Sequence, residues 1–217
     1  MTKTIKVLYE DDQLVVFDKP AGVLVIPSPR KETNTLFGLV NTGLTLHKLH
    51  PCHRLDRETS GAIIFAKGKQ NQQLMMEQFQ HGAVEKKYIA FVRGHLKPPQ
   101  GEIKIPIKDF HQSKFQRHVK PKPATTRYRV LAVKKKFSVV EVTPLTGRTN
   151  QIRIHFSAID HPLLGERIYA FGKDFDIKFR RVALHANEIR WRHPVTQQPV
   201  QVISELPEDM KNFVVQN

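Results

Sequence analysis

The sequence predicts an α+β fold, with a mixed, mainly antiparallel sheet as its core and helices and loops around it. Three observations carry this. Short runs of alternating apolar and polar residues, rich in β-branched side chains, recur along the chain. They follow one another through short turns rather than alternating regularly with helices, as a doubly wound parallel sheet would require. Helical periodicity is confined to three stretches.

In chain order, strands are expected near Lys3 to Tyr9, Gln13 to Asp18, Gly61 to Ala66, Lys86 to Arg93, Thr125 to Val133, Ser138 to Thr143 and Val182 to Arg190. A helix over Asn71 to Gln80 sets Leu74, Met75, Gln78 and Phe79 on one face. A second, over Asn150 to Ala158, presents Ile152, Phe156 and Ile159, and a third spans Leu206 to Val214. Asp18-Lys19-Pro20-Ala21-Gly22 closes a strand with a turn, where Pro20 restricts φ and Gly22 frees it. No low-complexity tract, repeat or Ser/Gly-rich linker divides the chain, so residues 1–217 are expected to form one catalytic-sized domain.

The charge narrows the partners. Lys and Arg number 35 against 20 Asp and Glu, a formal net charge of +15 with a pI near 10.0. Inside a cell the abundant polyanion is nucleic acid, whose phosphates attract such a surface without regard to sequence. With 217 residues, 40% of them hydrophobic, the chain can bury roughly 70% of its unfolded surface, which excludes disorder as the main state. The longest stretch lacking a formal charge, Thr33 to His47, is too short and too polar to cross a membrane. The N-terminus lacks a signal peptide's apolar core, and Cys52 is alone, so a reducing, cytoplasmic location is expected.

The densest polar run is His50-Pro51-Cys52-His53-Arg54-Leu55-Asp56-Arg57-Glu58-Thr59-Ser60-Gly61, at the entrance to an apolar strand. His47, His50, His53 and Cys52 offer metal-ligand chemistry. They crowd too closely to close a tetrahedron, no CxxC pairs with them, and Arg54 and Arg57 repel a cation. Ser60 with a histidine would make a nucleophilic pair, but no GxSxG elbow or orienting carboxylate is legible. Asp56 stands between two arginines, which would keep it ionised as a nucleophile or base; the same pattern also describes an Arg–Asp pair bracing a turn.

A second concentration runs from Thr146 to His155. Gly147 allows a turn, Thr149 is the expected N-cap, and Gln151 and His155 fall on one side of the helix it opens. Arg148 and Arg153 near that helix start suit an anion, or simply a solvated basic face. The segment Lys108 to Lys122 interleaves Phe110 and Phe115 with Lys114, Arg117, Lys120 and Lys122. That composition suits a loop that neutralises phosphates and stacks bases, the alternative being a solvated hairpin.

These residues carry a specific resemblance. HRLDRETSG from His53 to Gly61 resembles the active-site signature of the RluA-type family of RNA pseudouridine synthases. Further matches stand in the family's order: Lys19-Pro20-Ala21-Gly22 resembles its first motif, and after His53 to Gly61 come the strand with Lys87, Tyr88, Ala90, Val92 and Gly94, the run GRTNQIRIH from Gly147 to His155, His161 to Gly165, and Ala183 to Ala186. Asn150 stands where the family often has His. The strand pattern begins almost at Met1, leaving no room for an N-terminal S4 RNA-binding domain, so the catalytic domain is expected to bind RNA unaided.

The resemblance implies a pseudouridine synthase fold and an isomerase that breaks the ribose C1′ to uracil N1 bond, turns the base and rejoins it through C5, without metal or other cofactor. Asp56 is then the nucleophile, Arg153 its ion-pair partner, and Tyr88 the residue against the uracil. RNA contacts are expected from Arg54, Arg57, Lys19, Lys114, Arg117, Lys120, Arg148 and Gln151. Arg57 would fill the space left by the extracted base or hold a phosphate, and Arg54 and Thr59 would shape the turn. The partner is ribosomal or transfer RNA, with no membrane contact and a monomer as the default. Other readings are a non-catalytic RNA-binding or chaperone protein on the same fold, and a metal-dependent nuclease.

Overall fold

A computed structural model of the chain describes residues 5–27, 32, 34–43, 48–108, 120–170 and 177–217. In chain order these form β1 (Val7–Glu10), β2 (Leu14–Lys19), α1 (Leu36–Asn41), β3 (Leu49–Pro51), β4 (Ser60–Lys67), α2 (Lys69–Gln80), β5 (Glu85–Arg93), β6 (Gln100–Lys104), β7 (Thr125–Val133), β8 (Phe137–Pro144), α3 (Gln151–Ala158), β9 (Leu184–Arg192), β10 (Pro199–Ile203) and α4 (Glu208–Gln216). The expected α+β class and mixed, mainly antiparallel pairing are found. The backbone falls into two compact units, Met1–Lys86 with His185–Asn212, and Lys87–Leu184 with Phe213–Asn217.

In the first unit β4 is the central strand. Its run from Ser60 to Ala66 is buried at every residue, as a strand covered on both faces must be. β2 pairs with it antiparallel along one edge. On its other side β3 pairs antiparallel with its end, at Phe65 to Lys67, and β9 pairs parallel with its beginning, at Ser60 and Gly61. Gly61 permits that approach: its φ is +110°, and a Cβ there would stand 2.3 Å from the Ala186 carbonyl oxygen. α2 has the predicted inward face, with Met75 fully buried against Leu14, Val16, Ile64 and Trp191.

The second unit holds an antiparallel sheet in the order β5, β8, β7, β6. β7 alternates as the sequence predicts, with Thr126 and Tyr128 inward and Arg127 and Arg129 outward. α3 lies against it, with Phe156 edge-on to Tyr128 at 5.8 Å between ring centroids. Its start differs from expectation. Asn150, not Thr149, is the N-cap, and it sits at φ 53°, a left-handed position that Asn tolerates and β-branched Thr resists. The unpredicted elements β3, β6, β10 and α1 have three to six residues each, too few to show a period.

No helix among the described residues is long and apolar enough to cross a membrane.

Candidate active site

Asp56 occupies a β-turn between β3 and β4. Its carbonyl accepts the Thr59 N–H at 3.2 Å, the first position of a turn that Asp favours. Leu55 and Thr59 are buried on either side, while Asp56 itself is half-buried. The turn is fastened from below. The carbonyl of Arg57 accepts the Gly22 N–H at 2.8 Å and the Lys19 ammonium at 3.1 Å. Lys19 also donates to the carbonyls of Val23 at 2.7 Å and Pro20 at 3.0 Å.

Lys19 therefore corrects an expectation. Its side chain has no solvent exposure, so it cannot reach RNA phosphate. It ties the Lys19-Pro20-Ala21-Gly22 turn to the Asp56 turn instead. Arg54 and Arg57 are exposed, and Arg57 pairs with Glu32 at 2.5 Å.

The rest of the polar run is structural. His53 accepts the Ile64 N–H at 3.1 Å and lies on Phe79 at 4.6 Å between centroids. Burial, aided by the charge of Lys86, lowers its pKa to about 3. Burial pushes the Cys52 thiol up to about 12. Among the described residues no three His, Cys, Asp or Glu side chains gather as metal ligands do. A Ser–His pair does exist, Ser60 Oγ to His185 Nδ1 at 3.0 Å, but both residues are buried. Carbonyls only accept, so His185 donates from Nε2 to Ser204 O at 3.0 Å and takes the Ser60 hydroxyl proton's hydrogen bond at Nδ1. Ser204 in turn donates to Asp18 at 3.0 Å, and the chain of contacts staples β9 and the segment after β10 to β2 and β4.

Tyr88 and Arg153 lie in the second unit. Tyr88 is mostly buried on β5 opposite Val142. Arg153 is held in a frame that the sequence did not disclose. Its Nε and Nη2 donate to the two oxygens of Glu166 at 2.7 and 2.9 Å, and its Nη1 donates to Asn150 Oδ1 at 2.9 Å. Asn150 donates onward to the Tyr169 hydroxyl at 3.0 Å, and the Tyr169 ring lies 5.2 Å from the guanidinium. Burial alone would raise the Glu166 pKa. The Arg153 hydrogen bonds and charge, with the N–H groups of Ile168 and Tyr169, outweigh it and hold the carboxyl below its ordinary value.

Gln151 is the second correction. Expected at RNA, it is buried, accepting from Thr146 Oγ1 at 2.7 Å and the Arg148 N–H at 3.0 Å and donating to the Thr125 carbonyl and Thr126 hydroxyl at 3.0 Å. It serves as the internal brace of the helix start. Arg148 and Lys120 are exposed, Arg148 donating to the Pro123 carbonyl at 3.2 Å. Lys114 and Arg117 lie outside the described residues.

The sequence model of the family described as RNA pseudouridylate synthase matches residues 13–158, from β2 to the end of α3. The chain belongs to the RNA pseudouridylate synthase family. As a pseudouridine synthase it is an isomerase. It is 34% identical to the Dual-specificity RNA pseudouridine synthase RluA of Pasteurella multocida (strain Pm70), covering 89% of this chain and 90% of that protein. It is also 34% identical to the Uncharacterized RNA pseudouridine synthase YhcT of Bacillus subtilis (strain 168), over 96% of this chain and 71% of that one. The solved structure of Human RNA Pseudouridylate Synthase Domain Containing 4 is similar to this synthase with a TM-score of 0.80 and 26% identity, over 97% of this chain and 92% of that one. The resemblance read from the motifs around Asp56 is thus established as membership, and the fold is the family's.

Proposed function

We propose that this synthase isomerises uridine to pseudouridine in structured ribosomal or transfer RNA, with Asp56 as the nucleophile, Arg153 as the cation that keeps it ionised and Tyr88 against the uracil. The observation that carries the reading is the fastened turn of Asp56: a half-buried carboxylate on backbone held by Lys19, Gly22 and Thr59 is placed without an entropic cost at the moment of reaction. Relatives named for dual-specificity and for tRNA pseudouridine synthesis support the substrate class. Extracting a stacked uridine costs a few kcal/mol, and exposed Arg57 is the residue to fill the gap or hold a neighbouring phosphate.

The chemistry is balanced within the substrate. The N1–C1′ bond breaks and the C5–C1′ bond forms; C5 gives up its proton and N1 gains one. Nothing is oxidised and no group is added, so no oxidant, reductant or co-substrate is called for. The Arg153 frame supports its role, because three of its five N–H groups are committed to Glu166 and Asn150, which fixes the plane of the guanidinium. Tyr88 is suited to stack on uracil and to take part in the proton transfer at C5. The whole chain acts as one catalytic domain, as a monomer, in the cytoplasm.

The test is to incubate the protein, with EDTA present, with cellular RNA lacking pseudouridine and to map the product. Wild type isomerises and Asp56→Ala does not. Binding without isomerisation by wild type would favour the RNA-chaperone reading, and chain cleavage abolished by EDTA the nuclease. Full activity of Asp56→Ala would remove the assignment of the nucleophile.

A further inference from the structure

Lys19 and Lys86 of the first unit are both set back from solvent, in different surroundings. Lys19 is fully buried and its ammonium donates to three carbonyls. Lys86, near the start of β5, is part-buried and makes no hydrogen bond or ion pair among the described residues. Its ammonium stands over the Phe79 ring, 5.7 Å from the centroid. The same ring lies 4.6 Å from the centroid of the His53 imidazole.

Neither neighbour neutralises the charge. A phenyl ring attracts a cation through its quadrupole but carries no net charge. His53 is neutral, with Nε2 accepting the Ile64 N–H. Successive residues of a strand point to opposite faces, which turns Glu85 away from Lys86. Burial accordingly lowers the Lys86 pKa from the ordinary lysine value, with no carboxylate opposing it. Withdrawing a charge from water costs free energy that an anion or hydrogen-bond acceptors recover. The position of this cation in the chain is equally specific. His53 precedes Asp56 by three residues, and Lys86 precedes Tyr88 by two, on the same face of β5.

We infer that Lys86 is a substrate-binding residue whose counter-ion is a phosphodiester of the RNA flanking the target uridine. This rests on the proposed uridine isomerisation and deepens it with one backbone contact. Phosphate oxygens bring the ammonium both an opposite charge and hydrogen-bond acceptors. Lysine offers them a point charge in place of a guanidinium fork, so the contact positions the strand and reads no base. Because Lys86 is only part-buried, a phosphate reaches it from solvent, as it cannot reach Lys19.

The experiment titrates unmodified transfer RNA against wild type, Lys86→Met and Lys69→Met over a range of salt, and melts each protein. Met keeps an apolar side chain against Phe79. Lys69, exposed at the start of α2, loses the same charge and is the control. Lys86→Met is expected to weaken affinity about tenfold relative to the control. It should also reduce the slope of log affinity against log salt by about one, for one lost phosphate contact. Its melting temperature should be no lower than wild type's, because an uncompensated charge has gone. Lys86→Arg keeps the charge and should keep the wild-type slope. On an RNA duplex of guanosine and cytidine alone, which offers no uridine to extract, Lys86→Met and Lys69→Met should bind alike. Equal affinity of those two variants for transfer RNA, or an equal loss from Lys86→Met on both RNAs, would overturn the contact. So would a wild-type salt slope in Lys86→Met or a fall in its melting temperature, which would confine the ammonium to the fold. Pseudouridine formation by wild type is read separately: its failure removes the catalytic reading, and the affinities still decide this one.

Discussion

Arg153 and Glu166 face each other through two parallel hydrogen bonds, in a pair where the carboxylate side chain is fully buried and the guanidinium nearly so. Glu166 accepts two backbone N–H groups besides, from Ile168 at 2.8 Å and Tyr169 at 3.1 Å. A buried carboxylate so surrounded accepts four hydrogen bonds, three at Oε1 and one at Oε2, and the cost of dehydrating it is offset by charge-assisted bonds from one side and backbone dipoles from the other.

Removing one partner leaves the other charged and buried. Glu166→Ala is expected to destabilise the native state by about 3–5 kcal/mol. Urea unfolding at neutral pH measures it, and a loss under 1 kcal/mol would place the pair in the class of exposed bridges.

The same pair sets an acid limit. The Glu166 carboxyl is held below its ordinary 4.5, so the native state binds this proton less readily than the unfolded chain. Its contribution is complete above pH 4.5 and is lost as pH falls through the lower native value. Wild type and Glu166→Gln should therefore differ in stability at pH 6 and draw together as pH falls below the ordinary carboxyl value. A difference that stays constant would show that charge is not what Glu166 contributes.

Lys19→Met removes the donor shared by three carbonyls on two turns. The expected loss is at least about 2 kcal/mol, with isomerisation falling because the Asp56 turn loosens. The salt dependence of RNA binding should stay as in wild type, since the ammonium is sealed from solvent. A reduced salt slope would return Lys19 to the RNA surface.

Long, well-patterned elements were readable from sequence and tertiary polar contacts were not. β7 was bounded to the residue because Thr126 and Tyr128 alternate with Arg127 and Arg129. The Asp56 turn was legible because its residues adjoin one another. Lys19 and Gln151 looked like surface cations and amides, yet both are buried by carbonyls and hydroxyls contributed from distant segments, Arg57 for one and Thr125 for the other. Glu166 escaped notice because its partner is 13 residues away, on a segment with no period. Only its position just after His161 to Gly165 marked it.

The glycines separate positions that need no side chain from those that merely lack one. Gly61→Ala brings a Cβ within 2.3 Å of the Ala186 carbonyl oxygen, backbone against backbone, at a φ of +110°. Neither strand can yield without breaking the β4–β9 pairing beside Asp56, so little soluble protein is expected. At Gly147 a Cβ meets nothing within 4 Å, and Gly147→Ala should express and melt as wild type does. Comparable melting of the two variants would contradict the packing of β4 on β9.

His53 gives the protein a second and earlier acid sensitivity. Its native pKa of about 3 is below the ordinary 6.5, because burial and the Lys86 charge disfavour the imidazolium. The unfolded chain takes up a proton as pH falls below 6.5 while native His53 refuses it, so stability begins to decline there, well above the Glu166 range. Protonation would also cost the hydrogen bond that Nε2 accepts from the Ile64 N–H, in the middle of β4. His53→Asn removes the titration. The variant should be less stable than wild type at pH 7.5, and its stability should fall less steeply between pH 6.5 and pH 5. Parallel stability curves for the two proteins over that interval would mean that the imidazole is charged in the native state.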